Sequence, residues 1–264
     1  MLNYFRERKS INAASKAASV KTEVDAYFLE NLPFNQKDIY KKIANKSKSQ
    51  CHQDLIALSL QGFKSDGYYL EIGAADGRYL SNTLTLEKYL SWNGSLVEPN
   101  TKYHKKIKRN RKNNAIFDYV IYSEEEIDIG FYETRFPELS TVAIDYKDGW
   151  QEFRKNNNLI YKKTISLSKL INDSIETDHI DFLSIDTEGS ELEVIGTLKN
   201  VKKRIDVVCI EHSNISEKRR AIRNIMKECQ FNLLNFPFQY WDDWFVNVEF
   251  QHDEKQFNFS KLID

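Results

Sequence analysis

The stretch Tyr68-Tyr69-Leu70-Glu71-Ile72-Gly73-Ala74-Ala75-Asp76-Gly77 decides the fold, because a short apolar run stops there at a glycine-spaced turn. The run reads as the first strand of a nucleotide-type α/β sheet. Gly73 lets the chain turn sharply against a ligand, and the segment after Gly77 opens toward a helix whose first amides face that ligand. A second strand-like run, Ser95-Leu96-Val97-Glu98-Pro99-Asn100, carries a carboxylate about 20 residues beyond the loop, where this fold keeps an acceptor for ribose hydroxyls. A dinucleotide fingerprint, Gly-x-Gly-x-x-Gly, needs a second glycine so that the backbone can crowd a pyrophosphate, and Ala75 stands in its place. That argues against NAD. A cofactor with a ribose, no phosphates and an amino-acid tail suits the loop, and S-adenosylmethionine is the common one. Glu71 is then positioned for the ammonium of the tail and Glu98 for the ribose, with Gly73, Ala74, Asp76, Asn82 and Pro99 around them and Asp118 as acceptor for the adenine amino group. The competing structural reading is an ordinary tight turn followed by a solvated strand end.

The chain has 264 residues, 41% apolar and 13% aromatic, which suffices for one large α/β domain with an appendage. A net charge of −1 gives no overall bias toward nucleic acid or anionic membrane, so the expected partner is small and specific. Cys51, Cys209 and Cys229 are odd in number and lack CxxC spacing, which argues against a disulfide framework or thiolate metal site and fits a reducing cytoplasm. No apolar run of signal-peptide or membrane-span length is visible, so a cytoplasmic location without a membrane span is expected.

Residues 1–64 read as a helical N-terminal cap, with Asp54 to Leu60 as an amphipathic run ending near Gly62. From residue 65 to 264 strands alternate with helical stretches, which indicates a mostly parallel sheet with helices on both faces. Strands are expected at 68–73, 94–98, 115–121, 180–186 and 205–211. The segment from about 128 to 164 breaks this rhythm, with Ile129-Gly130-Phe131-Tyr132, a Pro137 turn and the aromatic Tyr146 to Trp150, and reads as an insertion or flap near the active site. The tail from Phe231 to Phe250 reads as an antiparallel hairpin that closes the sheet. Within it Phe238, Tyr240, Trp241 and Trp244 either stack on a sugar or base, or pack as core.

Two later strands end in carboxylates at the sheet edge where open α/β folds bind ligands. Ile180 to Asp186 runs into Thr187-Glu188-Gly189-Ser190-Glu191, and Ile205 to Glu211 ends with His212. Asp186, Glu188, Glu211 and His212 are therefore expected to converge at one rim, with oxygen and nitrogen donors suited to Mg or Mn. Glu191 and Glu193 read as first-turn acids that complement a helix dipole. The basic run from Lys102 to Lys112 reads as the solvated face of a helix; the alternative is a landing surface for a phosphorylated substrate or nucleic acid.

At this point the chain resembles the FkbM-type S-adenosylmethionine-dependent methyltransferases. The resemblance rests on Leu70 to Gly77, Leu80-Ser81-Asn82-Thr83, Trp92 to Asn100 with Val-Glu-Pro-Asn, Ile180 to Glu191 with Asp-Thr-Glu-Gly-Ser-Glu, and Asp243-Trp244-Phe245-Val246. It implies a class I methyltransferase fold and O-methylation of sugar or polyketide hydroxyls. The acceptor is expected to be a small hydroxylated molecule such as a nucleotide sugar, with no nucleic acid partner and with homo-oligomerisation open. Asp186 and the Glu211-His212 pair are similar in position to the magnesium ligands of catechol-type O-methyltransferases. The expectation is thus a divalent ion on Asp186, Glu211 and His212, with Glu188 or a free His212 as base. A metal-free site, with His212 as base oriented by Asp186, is the other version. Methylation of RNA or protein, and a non-catalytic S-adenosylmethionine-binding module, are the competing functional classes.

Overall fold

The computed structural model describes residues 2–111, 114–134, 136, 139–143, 151–251 and 256–263, with side chains from residue 12 onward apart from that of residue 151. Three helices open the chain: α1 (Leu2–Asn31), α2 (Phe34–Ala44) and α3 (Gln53–Leu60). Then follow β1 (Tyr68–Ile72), α4 (Leu84–Leu90), β2 (Asn93–Val97), α5 (Thr101–Asn110) and β3 (Ala115–Phe117). A run of strands comes next, β4 (Val120–Ile121), β5 (Asp128–Glu133) and β6 (Thr141–Val142), then α6 (Gln151–Lys155) and β7 (Asn158–Ile165). The chain closes with α7 (Leu167–Lys169), β8 (His179–Ile185), α8 (Glu191–Ile195), β9 (Arg204–Glu211), α9 (Ser216–Glu228), β10 (Phe231–Leu234) and β11 (Asp242–Asn247).

Seven strands form the central sheet in the order β10-β11-β9-β8-β1-β2-β3. The pairs from β9 to β3 are parallel, and β11 runs antiparallel between β9 and β10. Strand alternation feeds two cores, which is why this sheet is covered on both faces. Tyr69, Leu96, Phe182, Val207 and Trp244 join the core under α1 to α3, while Leu70, Val97, Leu183, Val208 and Phe245 join the core under α8 and α9. The strand order reverses between β1 and β8, so the crevice beyond their carboxyl ends is the place this architecture leaves open for a ligand.

Three expectations change in detail. The 115–121 strand is two strands: β3 extends the central sheet, whereas β4 pairs with β7 in a separate four-stranded sheet ordered β4-β7-β5-β6. The 128–164 segment supplies the rest of that sheet, with Val120, Phe131 and Val142 as its small core; Pro137 and Tyr146 to Trp150 lie outside the described residues. α3 is not amphipathic, since all eight of its residues are buried between layers. Among the described residues no helix is long and apolar enough to cross a membrane.

Candidate functional site

A cleft of about 1310 Å³ opens at the β1/β8 switch point. One end is the turn after β1. The N–H groups of Gly73 and Ala74 donate to the Val97 carbonyl at 3.0 and 3.1 Å, which fastens the turn to β2. Gly73 has φ +88°, and a Cβ built there would lie 1.7 Å from the carbonyl oxygen of Asp186. The turn after β1 and the end of β8 therefore touch through a residue that must be glycine.

Glu98 follows β2 and bridges back to the turn, accepting from Ala75 N and Asn100 N at 2.7 Å each. Burial pushes its carboxyl up to about 8, against the two backbone donors that favour the ionised form. Gly73, Ala74, Asn82, Glu98 and Pro99 all line the cleft. Asn82 is buried, donates through Nδ2 to Ser184 Oγ at 3.0 Å, and leaves Oδ1 without a donor.

Glu71, also at the cleft wall, is differently employed from the expectation. Its carboxylate accepts from Asn82 N at 2.7 Å, from Ser81 Oγ and Thr83 Oγ1, and pairs with Arg111 at 3.3 Å. Such a saturated group braces the 81–83 turn and has little capacity left for an ammonium. Asp76 caps its own turn, accepting from Arg78 N and Tyr79 N, and does not line the cleft. Asp118 pairs with Lys162 of β7 at 2.6 Å and is likewise no part of the lining; its neighbour Tyr119 is.

At the other end, Asp186, Glu188 and Glu211 line the cleft. Asp186, Glu191 and Glu211 each bring a carboxylate oxygen within 4.8 Å of the others. Burial, then the neighbouring acids Asp242 and Glu191, raise Asp186 to about 7; burial and the same crowding raise Glu188 and Glu211 well above the usual carboxylate range. Asp186 Oδ1 and Glu211 Oε2 are buried atoms with no hydrogen-bond donor. Glu188 sits at φ +58°, a left-handed backbone that a residue without glycine's freedom rarely takes and that is concentrated at functional turns.

Glu191 is more than a helix-dipole acid. Fully buried, it accepts from Thr187 N and Gly189 N at 3.1 Å through Oε1, so it holds the 187–189 turn, and Oε2 pairs with Lys218 of α9 at 2.5 Å. Burial alone would favour the neutral amine of Lys218, but Glu191 and Glu211 outweigh it and keep the ammonium. Thr141 Oγ1 donates to the Thr187 carbonyl at 3.0 Å and ties the small sheet to the same turn.

His212 is the clearest correction. Its side chain is fully buried and outside both the cleft lining and the acid cluster. Nδ1 accepts from Asn214 N at 3.1 Å, and Nε2 lies 3.7 Å from Asp243 Oδ1, itself clamped by Arg219 and Arg223. Burial lowers the imidazole to about 4, and its place outside the cleft lining, not its charge, keeps it from acting there as base or metal ligand. β9 turns its residues to alternate sides, so Glu211 facing the cleft obliges His212 to face away.

Sequence reasoning also missed Arg111, read as part of a solvated basic run. It is buried, pairs with Glu71 and with Glu87 at 2.8 Å, and its guanidinium lies 5.3 Å from the Tyr69 ring. The spacing held a signal, because Tyr103, Ile107 and Arg111 recur every fourth residue and the first two are the buried face of α5. The aromatic tail divides: Phe238 and Trp244 are core, whereas Tyr240 and Trp241 line the cleft. A second acid group, His179, Asp181 and Asp206, sits at the opposite edge of the sheet and is engaged by Lys64, Arg204 and the Tyr68 amide.

The fold is a mostly parallel α/β sheet with helices on both faces and a cleft at its switch point. Solved structures similar to it include a precorrin-6y C5,15-methyltransferase from Geobacter metallireducens, at 11% identity over 74% of this chain and 88% of that one, TM-score 0.39. A TehB-like methyltransferase from Corynebacterium glutamicum is similar at 9% identity, over 81% of this chain and 96% of that one, TM-score 0.40. No match to a curated protein was found. The family model described as Methyltransferase FkbM domain matches residues 71–233, from β1 through the acid cluster and α9 into β10. With that span covering more than half of the chain, the turn after β1 and the acid cluster included, the chain belongs to the FkbM methyltransferase family.

Proposed function

We propose that the chain is an O-methyltransferase that moves the methyl group of S-adenosylmethionine to a hydroxyl of a sugar or similar small molecule, nucleotide-linked sugars included. The observation that carries this reading is adjacency: the Gly73 turn lies against the Asp186 carbonyl, so the acid cluster begins where the donor-binding turn ends. A sulfonium methyl is already activated, and the protein has to align an acceptor oxygen behind it and take its proton. A sugar hydroxyl is as poor an acid as water, with a pKa of roughly 15, and needs help at neutral pH. Asp186, raised to about 7 by burial and its neighbours, is matched to that task, and Glu188 stands beside it as the second candidate base. Asn82 Oδ1 is the acceptor left for the ammonium of the methionine tail, since Glu71 is taken.

Glu98 takes the ribose hydroxyls in this reading. Glu98→Ala is expected to weaken S-adenosylhomocysteine binding about three- to tenfold, the range for hydrogen bonds to an uncharged carboxyl. Calorimetry giving an unchanged affinity would remove that role.

Asp186 and Glu211 also fit a divalent cation: both offer an oxygen that no protein donor satisfies, and the donor set is the hard one that Mg and Mn prefer. Such an ion would polarise the acceptor hydroxyl and lower its pKa. Methyl transfer to sugar acceptors is expected to fall at least about tenfold after chelation and to return with Mn or Mg. Full activity in the stripped protein leaves the carboxylates alone as base.

A further inference from the structure

Neither the donor turn nor the acid cluster accounts for the outer end of the cleft. There α1 presents Ala14, Ala18 and Lys21, the segment between α2 and α3 presents Lys48, and Tyr240 and Trp241 belong to the same lining. Tyr240 and Trp241 stand edge to face with centroids 4.8 Å apart, and Lys16 Nζ lies 4.5 Å from the Tyr240 ring centre. Lys21 is half-buried and Lys48 exposed, and among the described residues neither has a carboxylate at ion-pair distance. Asp25, one turn beyond Lys21, has its Oδ1 taken by Tyr40 at 2.8 Å and His52 at 2.9 Å. The alanines leave room between helix and aromatic wall.

The cleft is thus polarised. Its inner end carries the acid cluster, whose oxygens suit hydroxyl groups; its outer end carries ammonium groups whose field a concave, partly apolar wall concentrates. A ligand that fits both ends is neutral and hydroxylated inside and anionic outside. Lysine binds phosphate as a point charge, and flat aromatic faces suit a sugar ring or base. We infer that the acceptor is a phosphorylated sugar, its phosphate or diphosphate held by Lys21 and Lys48 and its ring or base lying against the Tyr240 and Trp241 wall. This rests on the sugar O-methylation reading and narrows it.

The test is calorimetric titration of the full chain, saturated with S-adenosylhomocysteine, with inorganic pyrophosphate and with uridine diphosphate. Both are expected to bind with an affinity that falls as salt rises, and the Lys21→Ala/Lys48→Ala protein is expected to bind them at least about tenfold more weakly with its S-adenosylhomocysteine affinity unchanged. Lys105→Ala/Lys108→Ala, on the outer face of α5, should leave both affinities as they were. Equal anion binding by the Lys21/Lys48 variant and the parent, no anion binding by a parent that still binds S-adenosylhomocysteine, or displacement of uridine diphosphate by single-stranded RNA would each overturn the inference. Loss of S-adenosylhomocysteine binding by the parent would count instead against the donor site. Lysine-dependent anion binding with no methylated product from any nucleotide sugar would sustain the phosphate site and sink the hydroxyl-methylation reading.

Discussion

Gly73→Ala is expected to abolish measurable S-adenosylhomocysteine binding and to lower the urea midpoint of unfolding by the largest margin of any single substitution in the cleft. Two costs act together. A Cβ at φ +88° leaves the region that L side chains tolerate, worth about 1–2 kcal/mol on its own. The same Cβ would lie 1.7 Å from the Asp186 carbonyl oxygen, a backbone atom that can retreat only if β8 pulls away from β1. That retreat opens the contact in which Asp186 N donates to the Ile72 carbonyl at 3.0 Å. A total loss above about 3 kcal/mol is expected, with the donor turn and the acid cluster displaced from each other. Gly77→Ala provides the comparison: it shares the positive φ, but its nearest neighbour is the Arg111 side chain at 3.0 Å, so the damage should be confined to the turn. Binding by Gly73→Ala within about threefold of the parent would show that the β1–β8 contact is not what positions the donor.

What was legible in the sequence follows from how local its cause is. The strands at Tyr68, Ser95, Ile180 and Ile205 announce themselves because each is apolar on both faces, as a doubly covered parallel sheet requires. Their ends announce the site because a carboxylate beside a glycine turn is hard to explain by packing. Asp186 and Glu188 were expected at one rim for that reason, and both line the cleft. His212 was not: one residue of shift along β9 separates the cleft from the far side of the sheet, and adjacency in sequence says nothing about that alternation. Glu71 was read as free because its partners Ser81 and Thr83, from the turn before α4, and Arg111, from the end of α5, are brought to it only by the tertiary fold. The small sheet was illegible as a sheet because β4 and β6 have two residues each and take their register from β7 and β5.

The polarity of the cleft also explains its cost. Four acids crowd near one buried ammonium, Lys218, and natural proteins retain such repulsion where function demands it. The turn that carries Glu188 is held by Glu191, through the amides of Thr187 and Gly189, and by Thr141, through the Thr187 carbonyl.

Asp186→Asn tests that arrangement twice, through activity and through stability. As base or as cation ligand, Asp186 is needed ionised, so the variant is expected to lose about 10²–10⁴-fold in kcat while binding S-adenosylhomocysteine as before. In the parent, kcat/KM should rise with pH through about 7, where Asp186 gives up its proton, and the residual activity of the variant should lack that rise. Stability runs in the opposite direction. Asp186 is raised by burial and neighbouring acids to about 7 in the folded chain, against about 4 for an unfolded aspartate, so between these values the folded state binds more protons and loses stability as pH rises. Asparagine has no proton to lose. The variant should therefore melt higher than the parent above pH ~8, and the two should converge below pH ~3, where the parent's carboxyl is protonated in both states. A divalent cation should raise the melting temperature of the parent above pH ~7 and leave that of the variant nearly unmoved, since binding to the folded state alone stabilises it. Retention of activity within about tenfold, or a melting gap that does not grow with pH, would assign Asp186 to the framework of the cleft and move the search for the base to Glu188.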